Sequence, residues 1–162
     1  MNEHKKKGII IVVASFIVAL MMTALPLPEW AANWRPAWVA MVLIYWCMAL
    51  PNKVNIGVAW IAGIIMDVLQ GTLLGQNALG LVLLAFITIK VHQRIRMFPL
   101  IQQALFVMVL ILLYQLMSLW VRGLMGVPPR TWTYWTPAIT SMVLWPWLFI
   151  ILRDIRRKYI VS

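Results

Sequence analysis

The sequence is poor in the side chains that do chemistry. Among its 162 residues there are one cysteine, two histidines and four acids. Cys47, standing alone, excludes an internal disulfide and any multi-cysteine metal site and reads as a small apolar filler. His4 and His92 sit at the edges of apolar segments, and the scattered acids complete no His/Cys/acid ligand set for zinc. Hydrolysis by paired carboxylates needs two acids close together. Here Glu3, Glu29 and Asp154 lie outside the apolar runs, which leaves Asp67 alone inside one. Ser15, Ser118 and Ser141 have no histidine or lysine placed to activate them. The G-x-x-x-x-G-K-[ST] phosphate loop is absent. The reading is of a chain with no catalytic residue, no cofactor and no metal site.

What the chain has in abundance is apolar sequence. Its residues are 64% hydrophobic and 11% charged, where soluble domains run at about half apolar and about a quarter charged. The excess falls in long runs, the signature of an integral membrane domain. Six segments emerge, at 8–25, 36–50, 55–69, 77–91, 100–121 and 134–152, so the fold class expected is an all-α membrane bundle of six spans in a single domain 1–162. The second, third and fourth are short for a bilayer crossing, which takes roughly 17–25 residues. The start "MNEHKKKG" looks like the n-region of a signal peptide, but the run behind it is as long as a span and Pro26 spoils a cleavage site, so it reads as an uncleaved first helix. "LPLPEW", "LPNKVN", "QGTLLGQN", "KVHQRIRMFP" and "GVPPRTWT" punctuate the spans with turn formers.

A net charge of +10 first suggests nucleic acid. The basic residues, however, fall in short clusters between apolar segments, and no nucleic-acid partner is expected. With the N-terminus inside, the cytoplasmic side holds Lys5, Lys6, Lys7, Lys53, Lys90, Arg94, Arg96, Arg153, Arg156, Arg157 and Lys158, against Arg35, Arg122 and Arg130 outside; these account for all fourteen. Because lysine and arginine are retained on the cytoplasmic side, both termini are expected there. The basic clusters match anionic headgroups, at about 1 kcal/mol per basic residue; a docking cytoplasmic protein is the sharper alternative. Trp30, Trp34, Trp38, Trp120, Trp132, Tyr134 and Trp135 collect at the opposite interface as an aromatic belt. Pro146 in "LWPWLF" predicts a local kink in the last span.

The stretch "AGIIMDVLQGTLLGQNALG", from Ala62 to Gly80, sets the lone acid among glycines. An acid at mid-span costs about 2.5–3.5 kcal/mol on insertion scales, so Asp67 is expected to face protein or water. Helical spacing places Ala59, Gly63, Asp67 and Gly71 on one slowly drifting stripe where a second helix can approach closely. Gly71 and Gly75 read either as a G-x-x-x-G packing pair or as the residues that allow a bend. Asp67 is either an ion, proton or substrate contact, or a structural acid bonded where helices meet. Gln70, Gln76, Asn77, Gln115 and Arg122 are the polar groups expected at its depth or outward of it.

The segments "NWRPAWVAMVLIYWCMALPNKVNIG" (Asn33–Gly57), "GIIMDVLQGTLLGQNAL" (Gly63–Leu79) and "LWPWLFIILRDIRR" carry a resemblance, over nearly the whole chain, to the MreD family of rod shape-determining proteins of Gram-negative bacteria. The resemblance implies a non-enzymatic component, in the bacterial inner membrane, of the cell-elongation complex that builds side-wall peptidoglycan. Its partner would be MreC, with MreB, RodA and the elongation transpeptidase as indirect partners. It also implies a fold like the substrate-binding subunits of energy-coupling-factor transporters. Arg35, Pro36, Gly63, Asp67, Gly71 and Gly75 are the candidate structural or partner-interface residues. The alternative is a transport subunit that binds a small molecule or lipid in a pocket near Asp67.

Overall fold

A computed structural model of the chain describes residues 2–25, 28, 35–50, 54–71, 75–124, 126 and 135–159. They form six helices and, among the described residues, no strand: α1 Asn2–Ala24, α2 Trp38–Ala49, α3 Ile56–Gln70, α4 Gln76–Arg96, α5 Leu100–Leu124 and α6 Thr136–Tyr159. Each expected segment is a helix, but α1, α4 and α6 extend well past their apolar runs. Charged residues do not stop a helix. In the last turns of α4 and α6 they oppose the negative end of the helix dipole, as Arg94 and Arg96, and Arg156, Arg157 and Lys158, do here. The first turn of α3 is set by Asn55, whose Oδ1 accepts the Gly57 and Val58 N–H groups at 3.0 and 3.4 Å.

Four helical stretches are long and apolar enough to cross a membrane: Lys6–Ala24, Gln76–Arg96, Leu100–Leu124 and Thr136–Lys158. The other two, α2 with 12 residues and α3 with 15, reach only about 18 and 22 Å at 1.5 Å per residue, against a hydrocarbon core of about 30 Å. Burial explains why α2 can be short. Ten of its residues, Val39 to Met48, are buried, and it packs against α1, α4, α5 and α6. A helix that is apolar all round and enclosed by protein has no lipid boundary to match. The other helices instead turn outward large apolar residues such as Ile10, Met21, Val68, Ile101 and Ile151, a surface suited to hydrocarbon.

Hydrogen bonds between helices set their directions. At one end Arg96 of α4 donates from Nε to the Met48 carbonyl at 2.7 Å and from Nη2 to that of Ala49 at 2.8 Å, joining the C-terminal ends of α4 and α2. At the other end the Ala37 N–H, just before α2, donates to Ser141 Oγ early in α6 at 3.0 Å. There too Arg35 donates to the Thr23 and Leu25 carbonyls that finish α1. The helices therefore alternate in direction. The start of α1 and the end of α6 share the end that carries Arg94, Arg96, Arg153, Arg156 and Arg157. Trp38, Trp120 and Trp135 stand at the opposite end; Trp30, Trp34, Trp132, Tyr134, Lys53 and Arg130 lie outside the described residues.

The core centres on Trp46 of α2 and Trp145 of α6, both fully enclosed. The Trp46 indole N–H donates to Ser15 Oγ at 2.8 Å, which gives a buried polar group its partner and ties α1 to α2. Tyr45 meets Phe149 edge-on at 5.5 Å between ring centres. Cys47 fills space between helices as a buried free thiol. The helix α6 continues through Pro146.

Candidate functional site

The residues of the Asp67 block meet where α3 ends, α4 begins and the later half of α5 passes. A helix leaves its first N–H groups without partners inside the helix, and in lipid no water is available to take them. For α4 those groups are capped from outside. Asp67, in the last turn of α3 and fully buried, accepts the Gly75 N–H on Oδ2 and the Asn77 N–H on Oδ1, each at 2.8 Å. Gly75 is the N-cap of α4 and has no side chain with which to cap it. The carboxylate of the neighbouring helix takes that role. The positive end of the α4 dipole supplies a favourable field for the buried acid.

Gly63, one turn earlier on α3, makes this reach possible. A Cβ there would lie 2.6 Å from the Ala78 nitrogen and closer still to the Ala78 Cα. The two backbones are thus in direct contact at the first turn of α4. Gly80 does similar work on the far side of α4: a Cβ would fall 2.8 Å from Cε2 of the Tyr114 ring. With Gly80 as its seat, Tyr114 of α5 donates its hydroxyl to Asn77 Oδ1. Asn77 in turn donates from Nδ2 to Gln70 Oε1 at 3.0 Å. Three helices are locked by one connected polar set.

The two remaining glycines serve the turn. Gly71 ends α3 in the left-handed region at φ +68°, its N–H donating to the Asp67 carbonyl. Gly75 begins α4 at φ +101°. A Cβ on either would meet nothing within 4 Å, so what these positions require is backbone freedom rather than space. The structure therefore corrects the expected stripe at one position. Ala59, Gly63 and Asp67 are buried along α3, while Gly71 has left the helix and is exposed. Gly71 and Gly75 flank a turn instead of forming a G-x-x-x-G seam. Gly71→Ala is expected to cost about 1 kcal/mol, with Gly71→Asn milder because asparagine tolerates this region; thermal unfolding in detergent reads the order.

Arg35 joins the block from the side. Its guanidinium caps the carbonyl end of α1, and it lines a cavity of about 250 Å³ with Thr23, Ala24, Met66, Leu69 and Gln70. Asp67 is not part of that lining. Pro36 stands apart at the entrance to α2, where its carbonyl accepts the Trp38 N–H at 3.0 Å. Among the described residues no group of three or more His, Cys, Asp or Glu is placed to hold a metal ion. Gly80 ends the glycine-rich stretch around Asp67, but Tyr114, which also belongs to the site, carries no signal for it in the sequence.

Fold and site together define a small polytopic helical membrane protein whose buried polar groups hold helices to one another. The chain belongs to the MreD family: the family model described as rod shape-determining protein MreD matches residues 4–155. It is 33% identical over 147 residues to the rod shape-determining protein MreD of Haemophilus influenzae, an alignment covering 91% of each chain. No solved structure matches it.

Proposed function

We propose that this protein is a non-enzymatic scaffold of the cell-elongation complex, which binds MreC and so supports side-wall peptidoglycan synthesis. MreB, RodA and the elongation transpeptidase are reached indirectly. The observation that carries the reading is the engagement of both Asp67 oxygens by backbone N–H groups of α4. An acid held in this way shapes a surface; it is not presented to a substrate. The transport reading, with a pocket near Asp67, has less support, because the neighbouring cavity is lined by Arg35 and Gln70 and not by Asp67.

The arrangement in the membrane follows from the same features. All six helices cross the inner membrane, with the short α2 held inside the bundle and the short α3 packed against α4 at its edge, in a fold like that of the energy-coupling-factor substrate-binding subunits. The arginine-rich end faces the cytoplasm with both termini, as retention of basic residues favours. The end of α3, Gly71, Gly75 and Arg35 then face outward, towards the periplasmic part of MreC.

Photo-crosslinkers at the exposed positions Val68 and Gln70 test this reading in cells. Adducts with MreC are expected from both positions, and fewer of them, with rounded cells, in an Asp67→Ala background. Absence of MreC adducts, or unchanged adducts and rod shape in that background, contradicts it.

A further inference from the structure

The arginine-rich end holds a second polar site, remote from the Asp67 block. Tyr45 of α2, Arg96 of α4, Gln103 of α5, and Phe149 and Arg156 of α6 line a cavity of about 240 Å³. Two of its polar groups are buried without a hydrogen-bond partner: the Tyr45 hydroxyl and Gln103 Oε1, on residues only 2% and 3% exposed. Buried polar groups are nearly always paired, so each such exception asks for an explanation. The orientation of Gln103 is fixed, because its Nε2 donates to the Ile95 and Phe98 carbonyls at 3.0 and 3.3 Å. Its Oε1 is the acceptor that remains.

The charge around the cavity has one sign. Arg96, Arg153, Arg156 and Arg157 all act electrostatically on the Tyr45 hydroxyl. Arg96 gives Nε and Nη2 to the carbonyls that end α2 and keeps its other N–H groups. Arg156 makes no ion pair or hydrogen bond among the described residues. Asp154, the acid on this stretch of α6, lies 3.9 Å from Arg153 and is not in the lining.

We propose that this cavity binds a phosphate-ester anion carrying a neighbouring hydroxyl or amine. Arg96, Arg156 and the Tyr45 O–H donate to the phosphate oxygens, and Gln103 Oε1 accepts from the adjacent group. Two guanidinium groups suit phosphate oxygens in geometry and charge. The volume falls below the roughly 300–1,000 Å³ of pockets for drug-sized ligands, which favours a headgroup-sized anion over a nucleotide. Two sources share this chemistry: the headgroup of an anionic glycerophospholipid, and a free phosphate ester.

The full chain in nanodiscs of phosphatidylglycerol or of phosphatidylcholine, followed by native mass spectrometry, tests the lipid source. Glycerol 3-phosphate added in phosphatidylcholine discs, with thermal stability as the readout, tests the free one. Arg156→Ala is expected to weaken binding about tenfold and Tyr45→Phe severalfold, while Arg157→Ala, of equal charge but outside the lining, changes it less than about twofold. Tyr45→Phe removes a hydroxyl with no protein partner, so its stability without ligand stays at the wild-type level. Retention of phosphatidylglycerol with this ranking assigns the site to a lipid; stabilisation by glycerol 3-phosphate with the same ranking assigns it to a free ester. Failure of both probes, or equal losses for Arg156→Ala and Arg157→Ala, overturns the proposal.

Discussion

Asp67→Ala is expected to lower the thermal unfolding midpoint by about 10 °C, because one buried and one half-buried N–H group lose their acceptor at about 1–3 kcal/mol each. The groups are those of Gly75 and Asn77, at the first turn of α4. Between separated helices the carboxylate would lose both N–H partners, so the same bonds also favour assembly of α3 with α4. Asp67→Asn keeps one acceptor oxygen for one of the two N–H groups, turns an NH2 donor towards the other, and loses the attraction of a full charge to the helix dipole, at about 1–3 kcal/mol in all. The expected order of stability is wild type, then asparagine, then alanine, with rod shape following the same order. An acid that carried protons or ions would behave differently. Asparagine would then be as damaging to cell shape as alanine, with stability little changed by either.

Gly63→Leu is expected to prevent accumulation of folded protein, and Gly63→Ala to destabilise it by about 1–3 kcal/mol or more. The obstacle is the backbone of Ala78, which cannot rotate away as a side chain does. Relief comes only by separating α3 from α4, which also lengthens the Asp67 bonds one turn on. Gly80→Ala provides the contrast, since the added Cβ meets the ring of Tyr114, a side chain able to shift. Its cost should be smaller and should fall on the Tyr114–Asn77 bond. The yield of monodisperse protein in detergent and its unfolding midpoint measure both. Wild-type behaviour of Gly63→Leu would mean that α3 and α4 do not meet at Ala78.

Much of this architecture is legible in the residues. Apolar runs locate all six helices, and a helical period of 3.6 places Gly63 and Asp67 on one face. The period does not say where that face stops being helical, which is why spacing groups Gly71 with them; its φ of +68° is a property of the turn. The apolar run of α2 has no polar face, so sequence alone does not show that protein encloses it on nearly every side. The charge pattern places Arg96 at the basic end, but its partners Met48 and Ala49 lie 48 and 47 positions away. Tyr114 escapes a sequence reading for a similar reason, since Asn77 is 37 positions distant and spacing within one helix says nothing about a contact between two.

Amide hydrogen exchange at the start of α4, measured on wild-type and Asp67→Ala protein in detergent, tests the central claim most directly. The account predicts slow exchange at Gly75 and Asn77 in the wild type. In the variant, exchange should be strongly accelerated at these two amides, with the α6 core around Trp145 much less affected. Equal protection at Gly75 and Asn77 in both proteins would contradict it, because Asp67 would then not be what holds the first turn of α4.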